Sequence, residues 1–89
     1  MSILTLLKEA LAPHGYSARH IPGDELADDC LEILDADQQV TELEVQIYHE
    51  GGAIYYVNEW DGDGLVTHYS GGVAARAVAV VLERLKVSA

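Results

Sequence analysis

The segment Thr41-Glu42-Leu43-Glu44-Val45-Gln46-Ile47-Tyr48-His49-Glu50-Gly51-Gly52-Ala53-Ile54-Tyr55-Tyr56-Val57-Asn58-Glu59-Trp60 decides the fold. Leu43, Val45 and Ile47 alternate with Glu44, Gln46 and Tyr48, the period of a strand with one buried face. Gly51-Gly52 offers a tight two-residue hairpin turn, because glycine accepts the positive φ such turns need. Ile54 to Trp60 is then the returning strand. Asp61-Gly62-Asp63-Gly64 turns the chain again, and Leu65 to Tyr69 follows as the next strand.

These turns set a register. A two-residue turn at 51–52 puts Ile47 opposite Tyr56 and Tyr48 opposite Tyr55. A four-residue turn at 61–64 puts Trp60 opposite Leu65 and Tyr56 opposite Tyr69. One face is expected to carry Leu43, Val45, Ile47, Ile54, Tyr56, Trp60, Leu65 and Tyr69, a coherent core. The other is expected to carry Glu44, Gln46, Tyr48, Glu50, Ala53, Tyr55, Val57, Glu59, Val66 and His68. There the Tyr48 and Tyr55 rings stand among carboxylates, which is the make-up of an interface with aromatic anchors inside a charged surround. The plainer alternative is a solvated face whose tyrosines merely suit strands.

Outward from this meander the signals weaken. Leu31-Glu32-Ile33-Leu34 before Asp35-Ala36-Asp37-Gln38 reads as a strand entering a polar turn, although Leu26, Cys30 and Leu34 also recur at helical spacing. The strand is preferred. For Leu31 and Ile33 to join the core, the loop after Asp35 must hold an odd number of residues. Tyr16 to Ile21 alternates weakly, as a short edge strand does. Ser2 is placed to cap a helix over about residues 3–12, with Ile3, Leu4, Leu7 and Leu11 on one stripe and Pro13 ending it. Ser70 is placed to cap a last helix starting at Gly71-Gly72. Its main stripe is Ala74, Val78, Val81 and Leu85, widened by Val73, Ala77, Val80 and Leu82. A helix apolar on so many sides is buried on more than one, against the sheet and either the first helix or a second subunit. The expected architecture is a single α+β domain over residues 1–89, an antiparallel meander of four or five strands with both terminal helices on one face.

Charge is distributed very unevenly. His20 to Ala75 contains 13 acidic side chains and no Lys or Arg, within a chain of 89 residues and net charge −10. Such a balance argues against direct binding to nucleic acid or to an anionic membrane, and for a basic protein surface as partner. A hydrophobic fraction of 49% argues for a folded domain despite the charge. Cys30 is the lone cysteine, which excludes an internal disulfide and fits a reducing cytoplasm. The apolar run at the N-terminus is too short for a signal peptide and lacks a basic leader, and no stretch approaches the roughly 18 apolar residues of a membrane span.

No catalytic or metal motif stands out. Asp61-Gly62-Asp63-Gly64 looks like the start of a calcium loop, but the twelfth position from Asp61 is Gly72 where a glutamate is required. The glycine pairs carry no following Lys, and the nearby aspartates repel a phosphate. His14, His20, His49 and His68 lack metal-ligand spacing, and on the expected register His49 and His68 lie on opposite faces. The serines have no nucleophile-elbow context. Cys30 lies beside Asp28, Asp29 and Glu32, which disfavour its thiolate. No cofactor is expected.

The helix–strands–helix order, over residues 40–86 plus the first helix, resembles the double-stranded RNA-binding domain in topology. That family grips phosphates with a basic cluster at the start of its last helix. Here Ser70-Gly71-Gly72-Val73-Ala74-Ala75-Arg76 holds one cation, so the resemblance implies the architecture and not the binding. In size, charge and lack of motifs the chain is also similar in type to small acidic inhibitors of phages and mobile elements, including some anti-CRISPR proteins, and to immunity proteins that block basic toxins. The functional expectation is therefore a non-enzymatic binding protein that covers a basic, nucleic-acid-binding or toxin surface by charge mimicry. Its contact residues are expected to be Asp24, Glu25, Asp28, Asp29, Glu44, Tyr48, Glu50, Tyr55, Glu59, Asp61 and Asp63. The alternative is a self-associating accessory subunit that forms a homodimer through the apolar last helix.

Overall fold

A computed structural model describes residues 2–23, 29–49 and 51–86. Helix α1 (Ile3–Leu11) runs into a 3-10 turn (Ala12–His14) and is followed by β1 (Ser17–Ile21), β2 (Asp29–Leu34), β3 (Val40–His49), β4 (Ala53–Asp61), β5 (Gly64–Gly71) and helix α2 (Ala74–Arg84). The strands pair in chain order in one antiparallel sheet, β1-β2-β3-β4-β5. Both helices lie on one face of it, with Ile3, Leu7 and Leu11 of α1 and Ala77, Val78 and Val81 of α2 in one core with Leu31, Ile33, Leu43, Val45, Ile47 and Val57. This is the expected α+β meander, in its five-stranded form. Residues 29–34 are strand, and Ser17–Ile21 is an edge strand.

The helices obey ordinary end rules. The Ser2 hydroxyl accepts the Thr5 N–H at 3.3 Å, and Gly15 takes the left-handed conformation, φ +82°, that ends the 3-10 turn. The wide apolar stripe of α2 is accounted for by the sheet on one side and α1 on another. What remains exposed on α2 includes Ala75, Arg76, Ala79 and Glu83, which are small or charged. The motive for a helix-mediated dimer is thereby weakened.

The register differs from expectation by one residue, with large consequences. His49 pairs with Ala53, so three residues and not two connect β3 to β4. Because side chains alternate with period two, one extra loop residue turns the whole of β4 over. Tyr55, Val57 and Glu59 therefore face the helices, while Ile54, Tyr56 and Trp60 face away from them. Tyr48 lies opposite Ile54, not Tyr55. At the next turn Gly62-Asp63 closes on the Asp61–Gly64 pair, and Gly62 carries the positive φ (+63°) that its position requires. Trp60 faces Leu65 as expected, but both lie on the open face.

A bulge then resets β5. Asn58 pairs with Thr67 and Val57 with Tyr69, which leaves His68 as the extra residue. Tyr69 thus reaches the core side, as expected, although it faces Val57 and not Tyr56. His68 also turns to the helix side, where it meets Glu59. A second irregularity sets Ile33 of β2 against Thr41–Leu43 of β3, where the Thr41 hydroxyl donates to the Ile33 carbonyl at 2.8 Å; Leu31 and Ile33, two apart on β2, both lie in the core.

β5 continues through Ser70 to Gly71, so Ser70 belongs to the strand and does not cap α2. Val73 is the N-cap residue, and the Tyr69 hydroxyl sits over it, 3.3 Å from its N–H and 3.4 Å from its carbonyl. Gly71 makes this contact possible. A Cβ there would stand 2.6 Å from the Tyr69 hydroxyl oxygen and 3.0 Å from the ring carbon bearing it. Gly71→Ala is expected to cost roughly 1–3 kcal/mol, the range of an overpacked site. Chemical denaturation checks this against Gly64→Ala, whose Cβ meets only the Asp61 carbonyl at 3.8 Å. Equal stabilities of the two variants would refute the steric role.

Candidate functional site

The face of the sheet opposite the helices is built of transverse rows, one residue per strand. The register aligns Arg19, Glu32, Glu44, Asn58 and Thr67 as a polar row from β1 to β5. The adjoining row is Ile21, Cys30, Gln46, Tyr56 and Ser70. Trp60 and Leu65 flank the polar row on one side, and Tyr48 and Ile54 lie at the other end of the face. Ile21 is 40% exposed, Tyr48 39%, Leu65 44% and Trp60 49%. Large apolar side chains this open beside carboxylates are the composition of an interface, because burying them against a partner is favourable while the charges select which partner.

Every member of the polar row takes part in a side-chain hydrogen bond. Glu32 and Glu44 stand directly opposite one another, an arrangement that costs energy when left unrelieved. Arg19 relieves Glu32 through its Nε (3.0 Å) and a second guanidinium nitrogen. Glu44 accepts the Trp60 indole N–H at 2.9 Å on one oxygen and the Cys30 thiol at 3.5 Å on the other. Burial, reinforced by the Glu44 and Glu32 carboxylates, pushes the Cys30 thiol up to about 12. It therefore remains a protonated donor. The charges that disfavour its thiolate are Glu44 and Glu32; of the three neighbours the sequence pointed to, Glu32 is thus one, and Asp28 lies outside the described residues. Asn58, only 2% exposed, accepts from the Thr67 hydroxyl at 2.7 Å and donates to the Gln46 amide oxygen at 3.4 Å.

Of the residues singled out from sequence, Glu44 and Tyr48 lie on this face. Tyr55 and Glu59 lie on the other, because of the extra loop residue. Tyr55 packs against the core, and one oxygen of Glu59 accepts from His68 (2.8 Å) and from Arg84 Nε (3.0 Å), with a second Arg84 nitrogen 2.9 Å away. Desolvation pushes the Glu59 carboxyl up, but these bonds outweigh it and hold the group below its ordinary value. Asp61 and Asp63 are exposed around the β4–β5 turn. Asp29, on the helix side of β2, accepts the Gly23 N–H at 2.6 Å and has His20 and His49 within 3.6 and 3.4 Å. The Gly23 bond does most to lower its carboxyl, against desolvation, with the histidines adding to it. Asp24, Glu25, Asp28 and Glu50 lie outside the described residues.

A cleft of about 240 Å³ opens where the β4–β5 hairpin passes the end of α2, lined by Glu42, Glu59, Trp60, Asp61, Val66, His68 and Arg84. It brings a histidine and carboxylates together. Yet Glu59 is ionised and clamped by Arg84, which makes it a poor general acid and blunts it as a base. Among the described residues, no serine, threonine or cysteine lines the cleft. Among the described residues, no group of three or more His, Cys, Asp or Glu side chains has the geometry to hold a metal ion, and no helix is long and apolar enough to cross a membrane. No known protein family matches the chain, and no curated protein or solved structure matches it significantly.

Trp60, Leu65, Glu32, Asn58 and Arg19 are among the members of the face that the sequence did not single out as contact residues. A three-residue count for the β3–β4 connection would have placed Asn58 and Trp60 there at once.

Proposed function

We propose that the chain is a non-enzymatic acidic binding protein whose open sheet face docks onto a basic protein surface, one that otherwise binds nucleic acid or belongs to a toxin. One observation carries this reading. A fastened row with two adjacent carboxylates, Glu32 and Glu44, lies on a face that neither α1 nor α2 covers, between exposed Trp60, Leu65, Tyr48 and Ile21. Hydrogen bonds from Arg19, Trp60 and Cys30 fix the two carboxylates before any partner arrives, so little ordering entropy is lost on binding. Glu42, which lines the cleft together with Trp60 and Asp61, and Asp63 at the turn extend the negative surface along one end. Duplex DNA presents about one charge per 1.7 Å of its axis, and a groove evolved for that density also attracts an anionic protein face.

The reading predicts a salt response. Raising monovalent salt from about 0.05 to about 0.5 M shortens the screening length several-fold and should weaken partner binding by at least about tenfold. The measurement is titration calorimetry with a partner captured from the native host, followed by a test of whether the chain displaces duplex DNA from that partner. An affinity indifferent to salt, together with no displacement, would sink charge mimicry.

A further inference from the structure

We infer that the outer edge of β5 is a docking surface for a second copy of this chain, the two β5 strands pairing antiparallel to continue the sheet from one protomer into the other. This goes beyond the basic partner proposed for the open face.

The two edges of the sheet are built differently. β1 is five residues long, carries Arg19 and His20, and is followed by Pro22, all devices that discourage strand addition. β5, Gly64-Leu65-Val66-Thr67-His68-Tyr69-Ser70-Gly71, is eight residues long with no Asp, Glu, Lys, Arg or Pro. Its one guard is the bulge at His68, which leaves Gly64–Thr67 and Tyr69–Gly71 regular on either side. Leu65 and Val66, pointing to opposite faces, are 44% and 43% exposed. A two-residue hairpin is closed by a hydrogen-bonded pair, here Asp61–Gly64, and such pairs alternate along the ladder. Leu65 and Thr67 therefore turn their N–H and C=O groups away from β4, toward the open edge.

Charge identifies the occupant. Two copies of a chain at −10 repel, so they meet only where carboxylates are absent or matched. β5 is neutral along its length, with Asp61 and Asp63 just before it and the start of α2 just after it. That start has no side-chain cap, no acidic residue in its first turn, and Arg76 close by. Antiparallel pairing about a twofold near Thr67–His68 brings the acidic end of each strand beside the cationic end of the other. The strand is thus complementary to itself, as a twofold interface requires.

Sedimentation velocity at rising protein concentration, in about 0.05 and about 0.5 M salt, tests this directly. A reversible dimer is expected that salt strengthens by screening the overall repulsion, the opposite sign to the salt response of the basic partner. Val66→Lys and Leu65→Lys should each return the protein to monomer and leave its circular dichroism spectrum unchanged, with the melting temperature no longer rising with concentration. Ala79→Lys, on the exposed side of α2, should leave the dimer intact. Amide exchange at Leu65 and Thr67 should slow as concentration rises. A protein monomeric at every concentration in high salt, or a dimer broken by Ala79→Lys and indifferent to Val66→Lys, overturns the inference. Neither outcome bears on the open face, whose partner is tested separately.

Discussion

Asn58→Ala is expected to lower the stability of the fold by about 1–3 kcal/mol, the cost of leaving buried polar groups unpaired. Asn58 is a buried polar residue at the centre of the open face, closed off from water although neither α1 nor α2 covers it. Its amide oxygen takes the Thr67 hydroxyl of β5 and its amide nitrogen reaches Gln46 of β3. Removing it strands both partners on neighbouring strands and opens a gap beside Trp60. Urea denaturation monitored by circular dichroism measures the effect. Thr67→Val is the companion variant, since it removes only one of the two bonds and should cost less. If Asn58→Ala were neutral, the polar row would be decoration on a sheet held by its other side.

The second large effect concerns charge. Glu42→Lys, Asp61→Lys and Asp63→Lys together should weaken partner binding by about 100-fold or more, because like charges facing each other across an interface cost several kcal/mol. These three positions are exposed and take part in none of the side-chain hydrogen bonds or ion pairs found among the described residues. Each reversal changes the formal charge by two, so the net charge moves from −10 to −4. Self-repulsion falls, and the melting temperature should hold or rise. Loss of binding with an unchanged melt separates recognition from folding. Unchanged binding would exclude this end of the face as the contact surface.

Most of the architecture was legible because its signals are local. Leu43, Val45 and Ile47 alternate cleanly with polar residues, and β3 is oriented as read. The Asp-Gly-Asp-Gly turn set Trp60 against Leu65 correctly. β4 was different. Ala53-Ile54-Tyr55-Tyr56-Val57 is apolar at every position, so either parity makes an acceptable core, and only the turn length decides between them. Gly51-Gly52 is a plausible complete turn in itself, and nothing local shows that the connection has a third residue. The bulge at His68 is equally silent, being a property of the pairing and not of either strand alone. The candidate site inherited this uncertainty. Glu44 and Tyr48, on the strand that alternates, were placed correctly, whereas Tyr55 and Glu59, on the strand that does not, were placed on the wrong face. Contacts between residues far apart in the chain, such as Glu59 with Arg84, have no sequence signature at all.

The bond from the Trp60 indole to Glu44 has an optical consequence. Trp60 is the only tryptophan of the chain, and its ring nitrogen is tied to a carboxylate that also accepts the Cys30 thiol. Trp60 is 49% exposed and would be covered by anything seated on the sheet. The emission colour of this one fluorophore therefore reports the state of the whole face, its wetting, the contact with Glu44 and the chemical condition of Cys30. The protein carries a built-in dye at the place where its partner is proposed to sit.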